Sequence, residues 1–162
     1  PACMIDMVAA LRAAEPLVRR VAGPAATVTV EARGTPLWVR ATAVDVDRLI
    51  VNLVANSRDA MPDGARLWLR AAAAPASAHD PAATPQVRLT VRETGHGIAS
   101  GVRERLVEPC ATTRRDDGDH GLGLPEVRAV VARLGGTVRA MPSPAGTTVV
   151  VDLPAVTTPA AP

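Results

Sequence analysis

Apolar residues recur at Met4, Met7, Val8, Leu11, Leu17, Val18 and Val21, close to helical spacing. Pro16 inside this run predicts a kink or a split into two short helical pieces, because proline lacks the N–H and crowds the preceding turn. "TVTVEA" (27–32) and "PLWVRA" (36–41) then alternate as strands do. From about Val44 to Met61 the period returns to that of a helix, with Thr42 or Asp45 as cap and Pro62, Asp63 and Gly64 as stop. "ARLWLRAAA" (65–73) and "QVRLTVRE" (86–93) predict two further strands, the second in strict alternation. Residues 75 to 85, "PASAHDPAATP", have no period and read as a loop, with His79 a solvated loop residue.

After Glu93 come a glycine-rich turn, a short helix near Val102 to Leu106 and a polar stretch, "TTRRDDGDH". "LPEVRAVVARLGG" predicts a helix that Gly135 stops, and "TVRAM" with "TTVVVDLP" predicts a hairpin. Strands and helices do not alternate one for one. A doubly wound sheet therefore fits poorly, and an α+β arrangement fits better: a mixed sheet covered on one face by helices.

Composition narrows the picture. At 162 residues one domain is expected, and with 48% hydrophobic but 1% aromatic residues its core must be filled by Val, Leu, Ile and Ala. Base stacking, the usual tool of nucleic-acid recognition, has almost no rings to work with. All 18 basic residues are arginine, set against 16 acids, and no cationic run of the kind that binds DNA or membranes occurs. No nucleic-acid partner and no membrane contact by this chain are expected. Cys3 and Cys110 form no pairing pattern, no apolar run reaches the length of a membrane span, and no signal peptide is visible. The expected location is cytoplasmic, and a chain that starts at Pro1 reads as a piece of a longer protein.

Four local patterns could carry chemistry. On the helix "DVDRLIVNLVANSRDAM", at about 100° per residue, Asn52, Asn56 and Asp59 share one stripe beside the apolar arc of Val46, Leu49, Ile50 and Leu53. Burying such groups without partners costs about 1–3 kcal/mol each, so the stripe implies internal hydrogen bonds or a polar ligand, unless it is the ordinary polar margin of an amphipathic helix. In "GHGI", Gly95 and Gly97 either turn the chain or let a ligand approach its backbone. In "HGLGLPEV", Gly121 and Gly123 open a helix whose free N–H groups and dipole suit phosphates. Gly146 and Thr147 begin the last strand of "AGTTVVVDLP".

Each pattern is ordinary alone; their order and separations are not. "NLVANSRDAMPDGARLWL", "ETGHGI", "VEPCATTR", "GLGLPEVRAVVARLGGTV" and "SPAGTTVVVDLP" resemble the N, G1, F, G2 and G3 boxes of the catalytic and ATP-binding domain of bacterial sensor histidine kinases, within the superfamily of DNA gyrase, Hsp90 and MutL. The likeness runs from about Val44 to Pro154.

It implies a two-layer α/β sandwich of the Bergerat type and a division into a helical linking segment over 1–22, the catalytic domain over 23–154 with a lid at about 99–120, and a tail over 155–162. It implies ATP and Mg²⁺, with the cation held by Asn56, which Asn52, Arg58 and Asp59 support. Glu93 takes the place of the adenine-binding aspartate, above a wall shaped by Gly95, Gly97 and Ile98, with Thr147 backing that contact. Thr112, Thr113 and Arg114 fall at the phosphate-facing part of the lid, and Gly121, Leu122, Gly123 and Leu124 offer main-chain N–H groups to the phosphates. His96 fills the variable position of the glycine loop and has no expected role; His120, beside the presumed phosphates, is best read in the same way.

The likeness also implies phosphoryl transfer, with Asn52 and Asn56 as the catalytic side chains, to a histidine outside this chain. His79-Asp80 is followed at once by Pro81 in a loop and does not qualify as the acceptor. The implied partners are the dimerisation and histidine phosphotransfer domain of the same protein and a response regulator. Hydrolysing relatives place Glu where Asn52 stands, and an amide cannot accept a proton at neutral pH. Departures from the pattern are Glu93 for aspartate, Val107, Cys110 and Ala111 where lid aromatics are usual, and Asp119-His120 where Gly and Thr are usual. They support an alternative, a degenerate domain that docks proteins without using nucleotide.

Overall fold

The structure, a computed structural model, describes residues 2–74, 84–95 and 124–156. Its elements run β1 (Cys3–Asp6), α1 (Met7–Ala22), β2 (Thr27–Glu31), β3 (Trp38–Ala41), α2 (Ala43–Ala60), β4 (Arg66–Ala73), β5 (Gln86–Thr94), α3 (Leu124–Arg133), β6 (Thr137–Ser143) and β7 (Gly146–Pro154). Five strands form one sheet in the order β2-β4-β5-β7-β6, and β1 pairs with β3 in a small second sheet. β2 lies parallel to β4 and the other pairings of the large sheet are antiparallel, so the sheet is mixed. The three helices pack side by side on one face, which makes the expected α+β sandwich of two layers.

The core between the layers is aliphatic, as the missing Phe and Tyr require. Leu11 and Val18 of α1, Leu49 and Leu53 of α2 and Val127 and Val131 of α3 meet Leu67, Leu89 and Val151 of the sheet. Burying each such side chain contributes about 1.5–3 kcal/mol. Met7–Ala22, expected as a segment preceding the domain, is thus a layer of the same core.

Two expectations about the first residues are corrected. Cys3–Asp6 is a strand, not the start of the helix, because Asp6 is the cap: its Oδ1 accepts from Val8 N at 3.0 Å and from Leu37 N at 3.0 Å. The helix also runs through Pro16 as one element, so of the kink or split expected there the split is excluded. Pro16 lies on the exposed side, where a bend costs no core contact, while Leu11, Ala14 and Val18 anchor both flanks.

α2 starts as expected at Thr42, whose Oγ1 accepts from Asp45 N at 3.0 Å and donates to Asp45 Oδ2 at 2.8 Å. The final hairpin is longer than its pattern, with β6 reaching Ser143 and β7 starting at Gly146. Among the described residues no helix is long and apolar enough to cross a membrane.

Candidate functional site

Strict alternation in β5 sends Val87, Leu89 and Val91 to the helix side, and the next residue in that series is Glu93. In β7 the series Leu153, Val151, Val149 ends on Thr147 in the same way. Antiparallel pairing sets Glu93 opposite Thr147. A carboxylate and a hydroxyl, each 3% exposed, therefore occupy positions that elsewhere in both strands are aliphatic.

Burial raises the Glu93 carboxyl above its ordinary range, and the nearby hydroxyls of Thr147 and Ser57 with the main chain at Thr147 and Glu93 oppose that rise. Those neighbours do not satisfy the site. Glu93 Oε1 and Thr147 Oγ1 are both buried without a hydrogen-bond partner, as is Asn56 Nδ2 of α2. Leaving such atoms unpaired costs about 1–3 kcal/mol each, so three of them mark a place that a polar ligand would stabilise.

Two glycines bring the backbone in close. A Cβ on Gly95 would stand 2.3 Å from Ala60 O, at the end of α2, so only glycine lets the end of β5 meet that helix. At Gly146, φ is +140° and a Cβ would stand 2.0 Å from Glu93 O. Gly95 N donates to Ala145 O at 3.3 Å, which ties the end of β5 to the β6–β7 turn.

The α2 stripe divides. Asn56 is half-buried, Asp59 is exposed with no hydrogen-bond partner among the described residues, and Asn52 donates through Nδ2 to Glu126 Oε2 of α3 at 2.9 Å. The stripe thus divides among its readings, with an internal hydrogen bond at Asn52, an unfilled polar atom at Asn56 and an exposed helix margin at Asp59. Gly97, Ile98, Thr112, Thr113, Arg114, Gly121, Leu122 and Gly123 lie outside the described residues, as do His79, His96, His120, Val107, Cys110 and Ala111. Leu124 opens α3.

Two residues escaped the sequence reading. Ser57 is 4% exposed at a position three and four residues after the buried Val54 and Leu53, so helical spacing alone marks it as a polar group on the core side. Glu126 is 74 residues from Asn52, and nothing local signals that pairing.

Orphaned atoms on Glu93, Thr147 and Asn56 leave hydrogen-bonding capacity that a polar ligand could take up. For a cation, Asn56 offers an amide oxygen once the buried Nδ2 and Oδ1 exchange places by a flip, and a cation such as Mg²⁺ takes its other ligands from phosphate and water.

Comparison with known proteins shows the family. The family described as histidine kinase-, DNA gyrase B- and HSP90-like ATPase matches residues 41–157. The sensor kinase CckA of Brucella abortus (strain 2308) is 32% identical over 142 residues, 83% of this chain and 15% of the relative. The C4-dicarboxylate transport sensor protein DctB of Rhizobium meliloti (strain 1021) is 28% identical, over 83% of this chain and 20% of its own length. The chain thus spans a fifth or less of these curated relatives. Among solved structures, the mycobacterial sensor histidine kinase MprB is 26% identical, covers 94% of this chain and 98% of its own, and superposes with a TM-score of 0.69. The ATP binding domain of PrrB from Mycobacterium tuberculosis shares the fold at 20% identity, with coverages of 96% and 98% and a TM-score of 0.69. The chain belongs to the histidine kinase-, DNA gyrase B- and HSP90-like ATPase family, as an ATP-binding catalytic domain of the sensor histidine kinase type.

Proposed function

We propose that this domain binds ATP with Mg²⁺ between α2 and the ends of β5 and β7, and that it presents the γ-phosphate to a histidine on the dimerisation and phosphotransfer domain of its parent protein. A response regulator would then receive the phosphoryl group. The observation that carries the reading is the set of three unpaired buried polar atoms, on Asn56, Glu93 and Thr147. In this assignment Glu93 accepts from the adenine amino group and Thr147 supports that contact. Asn56 holds the cation, whose charge would neutralise the developing negative charge on the phosphates. Asn52, fixed by Glu126, limits how α2 and α3 flank the phosphates. Gly121 to Leu124 and Thr112 to Arg114 complete the phosphate side in this proposal, on the strength of the family pattern.

Positioning and charge neutralisation are all the chemistry asks of these residues, because the incoming histidine is itself the nucleophile. Hydrolysis is a second reading with one observation in its favour. Position 52 is an amide, but Glu126 Oε2 sits 2.9 Å from it and brings a carboxylate to that neighbourhood. The docking-module alternative has no observation in its favour among the described residues.

The test mixes this chain with γ-labelled ATP, Mg²⁺ and the separately produced phosphotransfer domain of the parent protein. Label should pass to a histidine of that domain, and Asn56→Ala should cut transfer by about 100-fold or more. Steady phosphate release without the acceptor, abolished by Glu126→Gln, would establish hydrolysis in its place. Absence of transfer under conditions where ATP binds would overturn the kinase assignment.

A further inference from the structure

The helices cover only one face of the five-stranded sheet, and the outward positions of the other face are unusually rich in arginine. Alternation sends Arg66, Arg70, Arg88, Arg92 and Arg139 to that face, with Glu31 and Asp152 the carboxylates among them. Five guanidinium groups against two carboxylates leave a surplus of three positive charges, more than the chain's whole formal net charge of +2.

The arginines are not equally engaged. Arg88 grips Asp152 with both arms, at 2.7 and 2.9 Å, and Arg139 adds a third contact at 3.1 Å, so one buried carboxylate is shared by two cations. Arg70 stands 3.7 Å from Glu31 with both side chains more than half exposed, a pair that water screens. Arg66 and Arg92 have no carboxylate partner among the described residues. Arg92 instead has its Cζ over the Trp68 ring, 5.3 Å from the centroid, a contact that limits its motion without spending its charge.

We propose that this outer face docks an acidic polypeptide segment of a partner protein, with its carboxylates on Arg66, Arg70 and Arg92 of the neighbouring strands β4 and β5. The forked guanidinium matches a carboxylate, and the Arg88–Asp152 pair shows that match already made on this face. Side chains on the same side of an extended chain recur about every 6.6–6.8 Å, the same repeat as the outward positions of β4 and β5, so an extended acidic segment stays in step with the arginines. Nucleic acid fits less well, because Trp68 is the lone aromatic ring on the face and stacked bases need several.

Fluorescence anisotropy of a labelled peptide of about ten residues, alternating Glu and Ser, tests this with the full chain at about 0.15 M salt. Combined Arg66→Gln, Arg70→Gln and Arg92→Gln should weaken binding about tenfold or more, whereas Arg20→Gln, Arg33→Gln and Arg40→Gln, the same loss of charge elsewhere, should change it by less than about twofold. Should the combined variant unfold, Arg92→Gln alone supplies the comparison and should still weaken binding measurably. Equal losses in the two variants, no binding of the wild type, or tighter binding of an oligonucleotide of equal charge would each overturn the proposal.

Discussion

At the scale of single residues, Glu93 decides most. Its place was legible because strict alternation from Val87 onward ends on it, and a carboxylate at a core-facing position needs a reason. What the sequence could not show is that Oε1 stays unpaired beside Thr147 and Ser57, since Ser57 comes from a helix 36 positions earlier in the chain. Because the folded carboxyl titrates above its ordinary value, the folded state holds a proton that the unfolded chain releases over that interval. Stability therefore falls as pH rises from the ordinary carboxylate range through the raised folded value. Glu93→Gln removes this loss: its melting temperature should exceed that of the wild type at pH 8, and the gap should close near pH 4. A gap independent of pH would mean that the carboxyl titrates alike in the folded and unfolded states, so that burial does not raise it. For the ligand, Glu93→Asp should tighten ATP binding about threefold or more by shortening the reach by about 1.5 Å. Unchanged or weaker affinity would place the base elsewhere.

Among the elements, α2 and the β6–β7 turn position the site. The α2 start was legible from Thr42 and Asp45, whose mutual hydrogen bonds form the cap. Thr42→Ala should destabilise the fold by about 1 kcal/mol, read by denaturant unfolding, with nucleotide affinity nearly unchanged. Gly146→Ala should behave otherwise, because a methyl group 2.0 Å from Glu93 O forces β5 and β7 apart at Glu93 and Thr147. A loss of more than about 2 kcal/mol together with weaker ATP binding is expected there. A near-neutral change would show that the turn relaxes without cost. α1 was harder to read, since the proline rule describes an isolated helix and here core contacts on both sides of Pro16 carry the helix across.

Over the whole molecule, local pattern gave the layer arrangement but not the strand order. β2 lies beside β4, and β5 lies between β4 and β7, through pairings of residues such as Val28 with Leu67 and Leu89 with Val151, which no short window of sequence encodes. The likeness to sensor kinase catalytic domains supplied the Bergerat-type topology that periodicity lacked. The same long-range closure explains α3: Asn52 with Glu126, and Asp45 with Arg133, hold it against α2. Arg133 keeps the Asp45 carboxyl below its ordinary range, with Thr42 assisting, so this clasp contributes above the ordinary carboxylate range and fades as pH falls through the lowered value.

The central claim is that Asn56, Glu93 and Thr147 hold unused hydrogen-bonding capacity because they face one nucleotide. Calorimetric titration with a non-hydrolysable ATP analogue and Mg²⁺, comparing the wild type with Thr147→Val, tests it most directly. Beside Glu93 the hydroxyl makes no hydrogen bond of normal geometry, so its removal should change thermal stability little while affinity, micromolar to submillimolar in the wild type, falls about tenfold. Silence in the wild type, or full affinity retained by Thr147→Val, would contradict the account.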